Sequence, residues 1–239
     1  MSEKLNYFVL IIAHTRTTSP PYLPLGWSAH VQPEGQLYFA CDVKPHIVTD
    51  AYMYSESIKE KVLHFVAIVC KTMEEKNVTV PDSAELYLNP SETKDSCEYY
   101  FVDHASHAVF WLEDVDVYEM DMWQVVSESH LGLFHLGETH DHPLTHYTGF
   151  VLMEHYWTHV EHFPSHRMSS LHLAIDELIS IFIHGQGDQM TSTGSTFAYN
   201  AKQSKEHLRL LLNAKETLMY APSVCFVARL WANTCKSAF

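Results

Sequence analysis

The stretch Tyr99 to Trp111 decides the fold of the N-terminal half. It consists of the run Tyr99-Tyr100-Phe101-Val102-Asp103-His104 and, after a short turn, the run Ala108-Val109-Phe110-Trp111. Both runs are rich in aromatic and β-branched residues, which favour strands. The short segment between them is rich in side chains that hydrogen-bond to their own backbone, as is typical of a turn. The sequence therefore predicts a β-hairpin. Because side chains alternate along a strand, Tyr100, Val102 and His104 are expected to share one face.

The spacing of these residues resembles the second half of a WW domain. In that family an aromatic pair is followed by a histidine and then by a tryptophan, and here the matching residues are Tyr100, Phe101, His104 and Trp111. The resemblance implies a small antiparallel sheet that binds proline-rich segments in an aromatic groove. Such grooves accept preformed polyproline II segments, which lose little entropy on binding. The ligand-binding residues that it implies are Tyr100, Val102, His104, His107 and Trp111.

An earlier stretch resembles the opening half of the same family. Leu23-Pro24-Leu25-Gly26-Trp27 is followed by the aromatic pair Tyr38-Phe39. The resemblance implies that Trp27 packs against Phe39 as a structural buckle. Asp42 stands where the family has its histidine, so this copy lacks part of the groove.

The patterns together predict an α+β fold, with small antiparallel WW-like sheets in the N-terminal half packed against an α-helical C-terminal region. We divide the chain into an N-terminal segment and linker (1–22), a degenerate WW-like unit (23–50), a helix and connection (51–83), a second WW-like unit (84–114) and an α-helical region (115–239). This arrangement resembles fungal proteins in which a degenerate WW module precedes a helical region. That resemblance implies no particular chemistry.

Helices are predicted where apolar residues recur at three- and four-residue steps. The predicted helices span residues 55–76, 119–133, 150–163, 169–184, 201–219 and 223–236. Gly185-Gln186-Gly187 is expected to end the fourth of them, because glycine is common directly after a helix. Residues 188–200 are polar and are expected to form a loop.

Charge and cysteine usage exclude several classes of partner and site. The chain of 239 residues has a formal net charge of -14, which disfavours binding to nucleic acid or to anionic membranes. No apolar run reaches the ~18 residues of a membrane span. Five cysteines without a Cys-x-x-Cys pair argue against a disulfide framework and a thiolate zinc site. We expect an intracellular, cytoplasmic protein, although the apolar residues 7–13 leave secretion as an alternative.

Histidine is unusually frequent, with 18 residues. A run of histidines near the end of the third predicted helix is spaced by four, three and four residues: His155, His159, His162 and His166. Imidazoles at this spacing point to one side of a helix and bind zinc or copper. Pro164 interrupts the pattern, and no metallohydrolase motif accompanies it. Metal binding, a solvated histidine-rich surface and pH sensing therefore stay open.

The sequence supports alternative functional hypotheses. The first is a non-enzymatic interaction protein that binds proline-rich segments through the WW-like groove. The second is a histidine-rich metal-binding protein or metal-dependent enzyme, and the third is a structural scaffold within a larger protein. The chain has no P-loop, nucleophile elbow or dinucleotide fingerprint. We therefore assign no catalytic residue, and no cofactor beyond zinc or copper.

Overall fold

The structure is a computed structural model that describes residues 22–113, 143–166, 171–195, 197–218 and 220–237. The predicted helix at 119–133 and nearly all of the predicted N-terminal segment lie outside the described residues.

A sheet with its six strands in chain order forms the N-terminal half. The strands are β1 (Trp27–Val31), β2 (Leu37–Cys41), β3 (His46–Thr49), β4 (Ala84–Pro90), β5 (Cys97–Asp103) and β6 (Ala108–Phe110). Strands β3 and β4 are parallel, and the other neighbours are antiparallel. A parallel pair needs a crossover connection, which helix α1 (Glu56–Glu75) supplies. The sheet thus consists of two antiparallel meanders, β1–β3 and β4–β6, joined side by side, and the predicted hairpin is the second half of the second meander.

Helices form the described part of the C-terminal half. They are α2 (Pro143–His162), α3 (Leu171–Thr191), α4 (Ala201–Lys215) and α5 (Ala221–Ser237). The predicted α+β class is therefore confirmed. Among the residues that the structure describes, no helix combines the length and the hydropathy needed to cross a bilayer.

Helix α3 is longer than the sequence predicts. The sequence predicts an end at His184, directly before Gly185-Gln186-Gly187, but the helix continues to Thr191, so this part of the prediction is wrong. A Cβ atom at Gly185 would lie 2.5 Å from the Phe197 ring, closer than real side chains approach. The glycine therefore permits the following loop to pack closely on the helix and does not mark the helix end.

The two faces of the sheet contact different helices, as the alternation of side chains along a strand requires. Phe39 and Phe101 lie in hydrophobic clusters on the face that packs on α1. Val102 and Val109 lie on the opposite face, in a cluster that includes Trp157 of α2. Helix α2 therefore covers the face on which the predicted groove residues lie.

Stacked tryptophans fix α2 from its other side. The rings of Trp157 in α2 and Trp231 in α5 are parallel to within 6°, and their centroids are 5.4 Å apart. Trp231 Nε1 donates a hydrogen bond of 3.0 Å to the carbonyl oxygen of Ala174 in α3. Helix α2 is thus held between the sheet and the other helices, which places its side chains firmly against β4 and β5.

Candidate functional site

A buried carboxylate lies at the contact between the sheet and α2. Glu85, in β4, has an exposed fraction of 1%. Charged side chains are seldom buried to this extent unless they are paired. Three histidines surround the carboxylate: His104 in the turn between β5 and β6, His159 in α2, and His166 shortly after α2. We call these four residues the Glu85 cluster.

Each imidazole of the cluster directs its Nε2 atom towards Glu85. His159 Nε2 lies 3.1 Å from Oε1, and His166 Nε2 lies 2.8 Å from Oε2. His104 Nε2 lies 3.9 Å from Oε2, beyond hydrogen-bond length. This nitrogen is buried and has no hydrogen-bond partner among the described residues. Within the described part of the chain, the cluster therefore contains one buried polar atom without a hydrogen-bond partner.

A tyrosine hydroxyl lies against the other ring nitrogen of each histidine. The pairs and their Oη to Nδ1 distances are Tyr100 with His159 at 3.1 Å, Tyr156 with His104 at 3.4 Å, and Tyr38 with His166 at 3.4 Å. An Nδ1–H group that donates to a hydroxyl oxygen leaves the lone pair of the ring on Nε2. Without an ion, His159 and His166 donate Nε2–H to Glu85, and Nδ1 then accepts from the tyrosine hydroxyl. The same hydroxyls can instead accept from Nδ1–H, the tautomer that frees an Nε2 lone pair for a metal ion.

The electrostatics of the cluster favour a carboxylate beside neutral imidazole. Burial alone would raise the pKa of the Glu85 carboxyl, but its close interactions with His104, His159 and His166 bring this pKa well below its usual range. Burial lowers the pKa of His159 to about 4, against the opposing effect of Glu85. At neutral pH both groups are thus in the protonation states that a metal ion requires of its ligands.

The spacing of three of these residues matches a metal site. Glu85, His104 and His159 each offer a ligand atom, and these atoms lie within 4.8 Å of one another. Metal–ligand bonds of about 2.0–2.2 Å at a tetrahedral angle hold the ligand atoms of one zinc ion about 3.5 Å apart, so atoms up to 4.8 Å apart need a small inward movement to share an ion. His166 lies 3.0 Å and 2.8 Å from the two oxygens of the carboxylate and thereby fixes its orientation.

The predicted metal-binding histidines separate into two pairs. Helix α2 ends at His162, so the four residues do not share one helical face. His159 and His166 meet at Glu85, whereas His155 and His162 are exposed and line a neighbouring cleft. The structure therefore brings two of the four together, with different partners from those expected.

Glu85 and His104 are the members of the cluster that sequence reasoning did not assign to a metal. Both are distant in sequence from α2, and only the packing of α2 on the sheet brings them to His159. One signal was present, because Glu85 lies in a strand whose neighbours Ala84, Leu86 and Leu88 are apolar. A charge at an inward position of such a strand is unusual and needs a partner.

The predicted groove residues lie on the sheet face towards α2, but only part of that surface is open. Val102 is fully buried, at 0% exposure, and His104 belongs to the Glu85 cluster. His107 stacks on an aromatic ring of α2, with centroids 4.8 Å apart. Tyr100 and Trp111 are half-buried and line one cleft. The structure thus brings the two implied proline contacts together, while binding of a proline-rich segment stays a prediction.

The residues of the implied buckle lie on the opposite face. Trp27 is half-buried and packs against the hydrophobic cluster that contains Phe39, Met53 and Val62. This cluster joins the first meander to α1, so the tryptophan has a structural contact in this fold.

Comparison of the chain with family models, with curated proteins and with solved structures finds no match. The resemblance to WW domains therefore stays a prediction, and the Glu85 cluster is the main physical guide to function.

Proposed function

We propose that the protein binds a divalent transition-metal ion, zinc being the best fit, with Glu85, His104 and His159 as ligands. The observation that carries this proposal is the convergence of histidine Nε2 atoms on one buried carboxylate. Imidazole nitrogen and carboxylate oxygen are ligands that zinc accepts at closely similar distances. Copper also accepts imidazole ligands and is the main competitor.

The unsatisfied atom of His104 supports a metal over a purely hydrogen-bonded network. A buried polar nitrogen without a partner costs about 1–3 kcal/mol. The carboxylate, 3.9 Å away, is too distant to satisfy it. An ion between the ligand atoms would supply the missing partner without requiring His104 to move onto Glu85.

The tyrosine hydroxyls provide the outer contacts that metal-bound histidines usually have. A ligating imidazole commonly donates its second N–H to an oxygen atom, which fixes the ring and its tautomer. The Tyr100 hydroxyl oxygen is placed to accept such a bond from Nδ1–H of His159, and the Tyr156 hydroxyl oxygen from Nδ1–H of His104. We assign His166 to orienting the carboxylate, because it contacts both oxygens of Glu85.

The position of the site indicates a structural or sensing role for the ion. Its ligands come from β4, from the β5–β6 turn and from α2, so a bound ion would join the sheet to the helical region. Glu85 and His159 are only 1% and 2% exposed. The His104 side chain is 15% exposed. Low exposure is typical of structural metal sites, and the fourth position of a tetrahedral ion, which three protein ligands leave open, would be filled by water or by a further side chain of the cluster.

Elemental analysis of protein purified without a histidine tag tests the proposal. After incubation with zinc and dialysis, we expect roughly one ion per wild-type chain, as in a single closed site. His159→Ala should lose the ion. His155→Ala is the matched control, because His155 lies one turn earlier on α2 but is exposed and outside the cluster. Wild-type protein that retains no stoichiometric metal, or equal metal content in both variants, would contradict the proposal.

A further inference from the structure

We propose that the protein forms a dimer in which the β1 strands of two copies pair antiparallel about a two-fold axis. Within the described residues, β1 pairs with β2 alone and forms one edge of the sheet. The other edge, β6, has three residues and packs beside α2. Pairing of two β1 strands would continue the sheet from one copy into the next. This contact lies outside the Glu85 cluster and needs no metal ion.

The backbone of β1 has hydrogen-bonding groups that are directed away from β2. Directly before the strand, Asp42 N–H donates a hydrogen bond of 3.0 Å to the Gly26 carbonyl. Gly26 therefore belongs to a hydrogen-bonded pair, and such pairs alternate with non-bonded pairs along an antiparallel ladder. By this alternation, the N–H and C=O groups of Trp27, Ala29 and Val31 point away from β2, towards the open edge.

These outward groups are self-complementary under two-fold symmetry. Trp27 N–H already donates to the Pro24 carbonyl, at 3.1 Å, so the outward donors that remain on the strand are the N–H groups of Ala29 and Val31. With the two-fold axis at Ala29, the N–H group of each Ala29 meets the Ala29 carbonyl of the other copy. The N–H group of each Val31 meets the Trp27 carbonyl of the other copy. Antiparallel pairing about this axis therefore satisfies both remaining donors of each strand.

The side chains along this edge are apolar and suit the same arrangement. Ala29 is the register partner of Phe39, so Trp27, Ala29 and Val31 lie on the sheet face that packs on α1. Ala29 is exposed, and the exposed fraction of Val31 is 58%. In the two-fold arrangement, Val31 of each copy lies opposite Trp27 of the other. An aromatic residue opposite a β-branched residue is a cross-strand pair that stabilises sheets.

Strand β1 lacks the features that usually prevent edge strands from pairing. Natural edge strands are protected by charged side chains, by proline or by a covering helix or loop. Residues 17–33 contain no Asp, Glu, Lys or Arg, and β1 itself contains no proline. Leu25 and Val43, near the start of the strand, are exposed apolar residues that extend the same edge. The edge is therefore open to pairing with another strand.

Charge favours a second copy as the partner on this edge. The formal net charge of -14 makes two copies repel each other. The uncharged segment 17–33 lets them approach without placing carboxylates against one another, and two-fold symmetry supplies the same surface on both sides. Because one five-residue strand gives a contact below the standard interface size, we expect a dissociation constant on the order of 10–100 μM.

Sedimentation velocity of the full chain tests the proposal, in a buffer with EDTA so that no metal ion joins exposed histidines of two copies. The measured mass should rise with concentration from that of one chain towards that of two. Val31→Lys places a charge opposite Trp27 of the other copy and should weaken dimerisation at least about tenfold. Leu173→Lys is the matched control, because it changes the net charge equally at an exposed apolar residue of α3. It should leave dimerisation unchanged. A protein that stays monomeric at about 500 μM, or equal weakening by the two lysines, would overturn the proposal.

Ala29→Pro tests the backbone contact separately. It removes the N–H group at the two-fold axis and no bond to β2, and proline is accepted on an edge strand where the N–H group faces solvent. We expect a monomer with the circular dichroism and zinc content of wild type. Dimers that persist in both Ala29→Pro and Val31→Lys would place the contact on another surface and overturn the proposal. A monomeric wild type that dimerises as Ile11→Asp would show that the apolar segment 7–13 of the same chain occupies the edge instead.

Salt dependence gives a further readout that distinguishes this contact from an ion-paired interface. Strand β1 has no acidic residue, lysine or arginine, while the net charge of the two copies opposes their association. Raising the NaCl concentration from about 0.05 M to 0.5 M should therefore strengthen dimerisation, because salt screens the repulsion. Dimers that dissociate as salt is added would indicate an interface of ion pairs and would overturn the assignment to β1.

Discussion

The two meanders of the sheet can be compared position by position, because their strands follow one another in the same order and sense. Tyr38 in β2 corresponds to Tyr100 in β5. The Tyr38 hydroxyl contacts Nδ1 of His166, and the Tyr100 hydroxyl contacts Nδ1 of His159. Tyrosines at corresponding positions thus hold two histidines of the Glu85 cluster from neighbouring parts of one sheet.

The meanders differ at the positions that provide ligands. Register places Ser28 opposite Ala40 in the first meander and Glu85 opposite Val102 in the second. Ala40 and Val102 each lie two residues after the corresponding tyrosine, so Ser28 is the counterpart of Glu85. The Ser28 hydroxyl lies 2.8 Å from His30 Nε2. The shared strand arrangement of the two meanders is therefore not sufficient to form the Glu85 cluster. A carboxylate on one inward strand position distinguishes the meander that carries the cluster.

The largest expected effect comes from replacing Glu85 and its counterpart in parallel. Glu85→Ala removes the one carboxylate among the three proposed ligands, so we expect zinc affinity to fall by at least about 100-fold, towards complete loss. Ser28→Ala should leave zinc affinity unchanged. Competition with a chromophoric chelator measures both affinities. Retention of wild-type zinc affinity in Glu85→Ala would show that zinc binds elsewhere in the protein and that the Glu85 cluster is a hydrogen-bonded network without an ion.

The metal-free protein should lose stability in acid through His159. Its folded-state pKa of about 4 lies below the ordinary histidine value of 6.5, so protons bind preferentially to the unfolded chain between these values. The free energy of unfolding should therefore be greatest above pH 6.5 and should fall by an amount on the order of 3 kcal/mol as pH approaches 4. Glu85, whose folded pKa is also lowered, adds a loss of the same sign below its ordinary value.

Urea unfolding in the presence of EDTA measures this pH dependence. His159→Gln removes the titrating group and should show a shallower decline between pH 6.5 and 4 than wild type. An equal decline in both proteins would assign the acid sensitivity to other groups.

The fold class could be predicted because its signals are local. The aromatic runs of β5 and β6 and the apolar periodicity of α1 each identify an element within a short window. The continuous sheet could not be predicted in the same way. It depends on the parallel pairing of β3 with β4, which are separated in the chain by α1.

Prediction of the candidate site from the sequence is limited in the same way, because only some of its residues are close together in the chain. His159 and His166 could be selected by spacing, since they lie in one histidine-rich segment. Glu85 and His104 join them only through the packing of α2 on the sheet. The prediction that α3 ends at its two glycines is an error of the opposite kind, in which a local signal is taken for more than it shows. Gly185 lacks a side chain because the Phe197 ring packs against it, and this contact cannot be read from the neighbouring sequence.

The smallest effects should come from the two tyrosines at corresponding positions, and they test the roles assigned to their histidines. Tyr100→Phe removes the hydroxyl that orients His159, a proposed ligand, so zinc affinity should fall by about tenfold. Tyr38→Phe removes the hydroxyl beside His166, which orients the carboxylate, so the loss should stay below about threefold. The same chelator competition measures both variants. Equal losses of zinc affinity in the two variants would show that His166 is itself a metal ligand, as His159 is proposed to be. Each meander would then contribute a tyrosine that supports a metal-bound histidine.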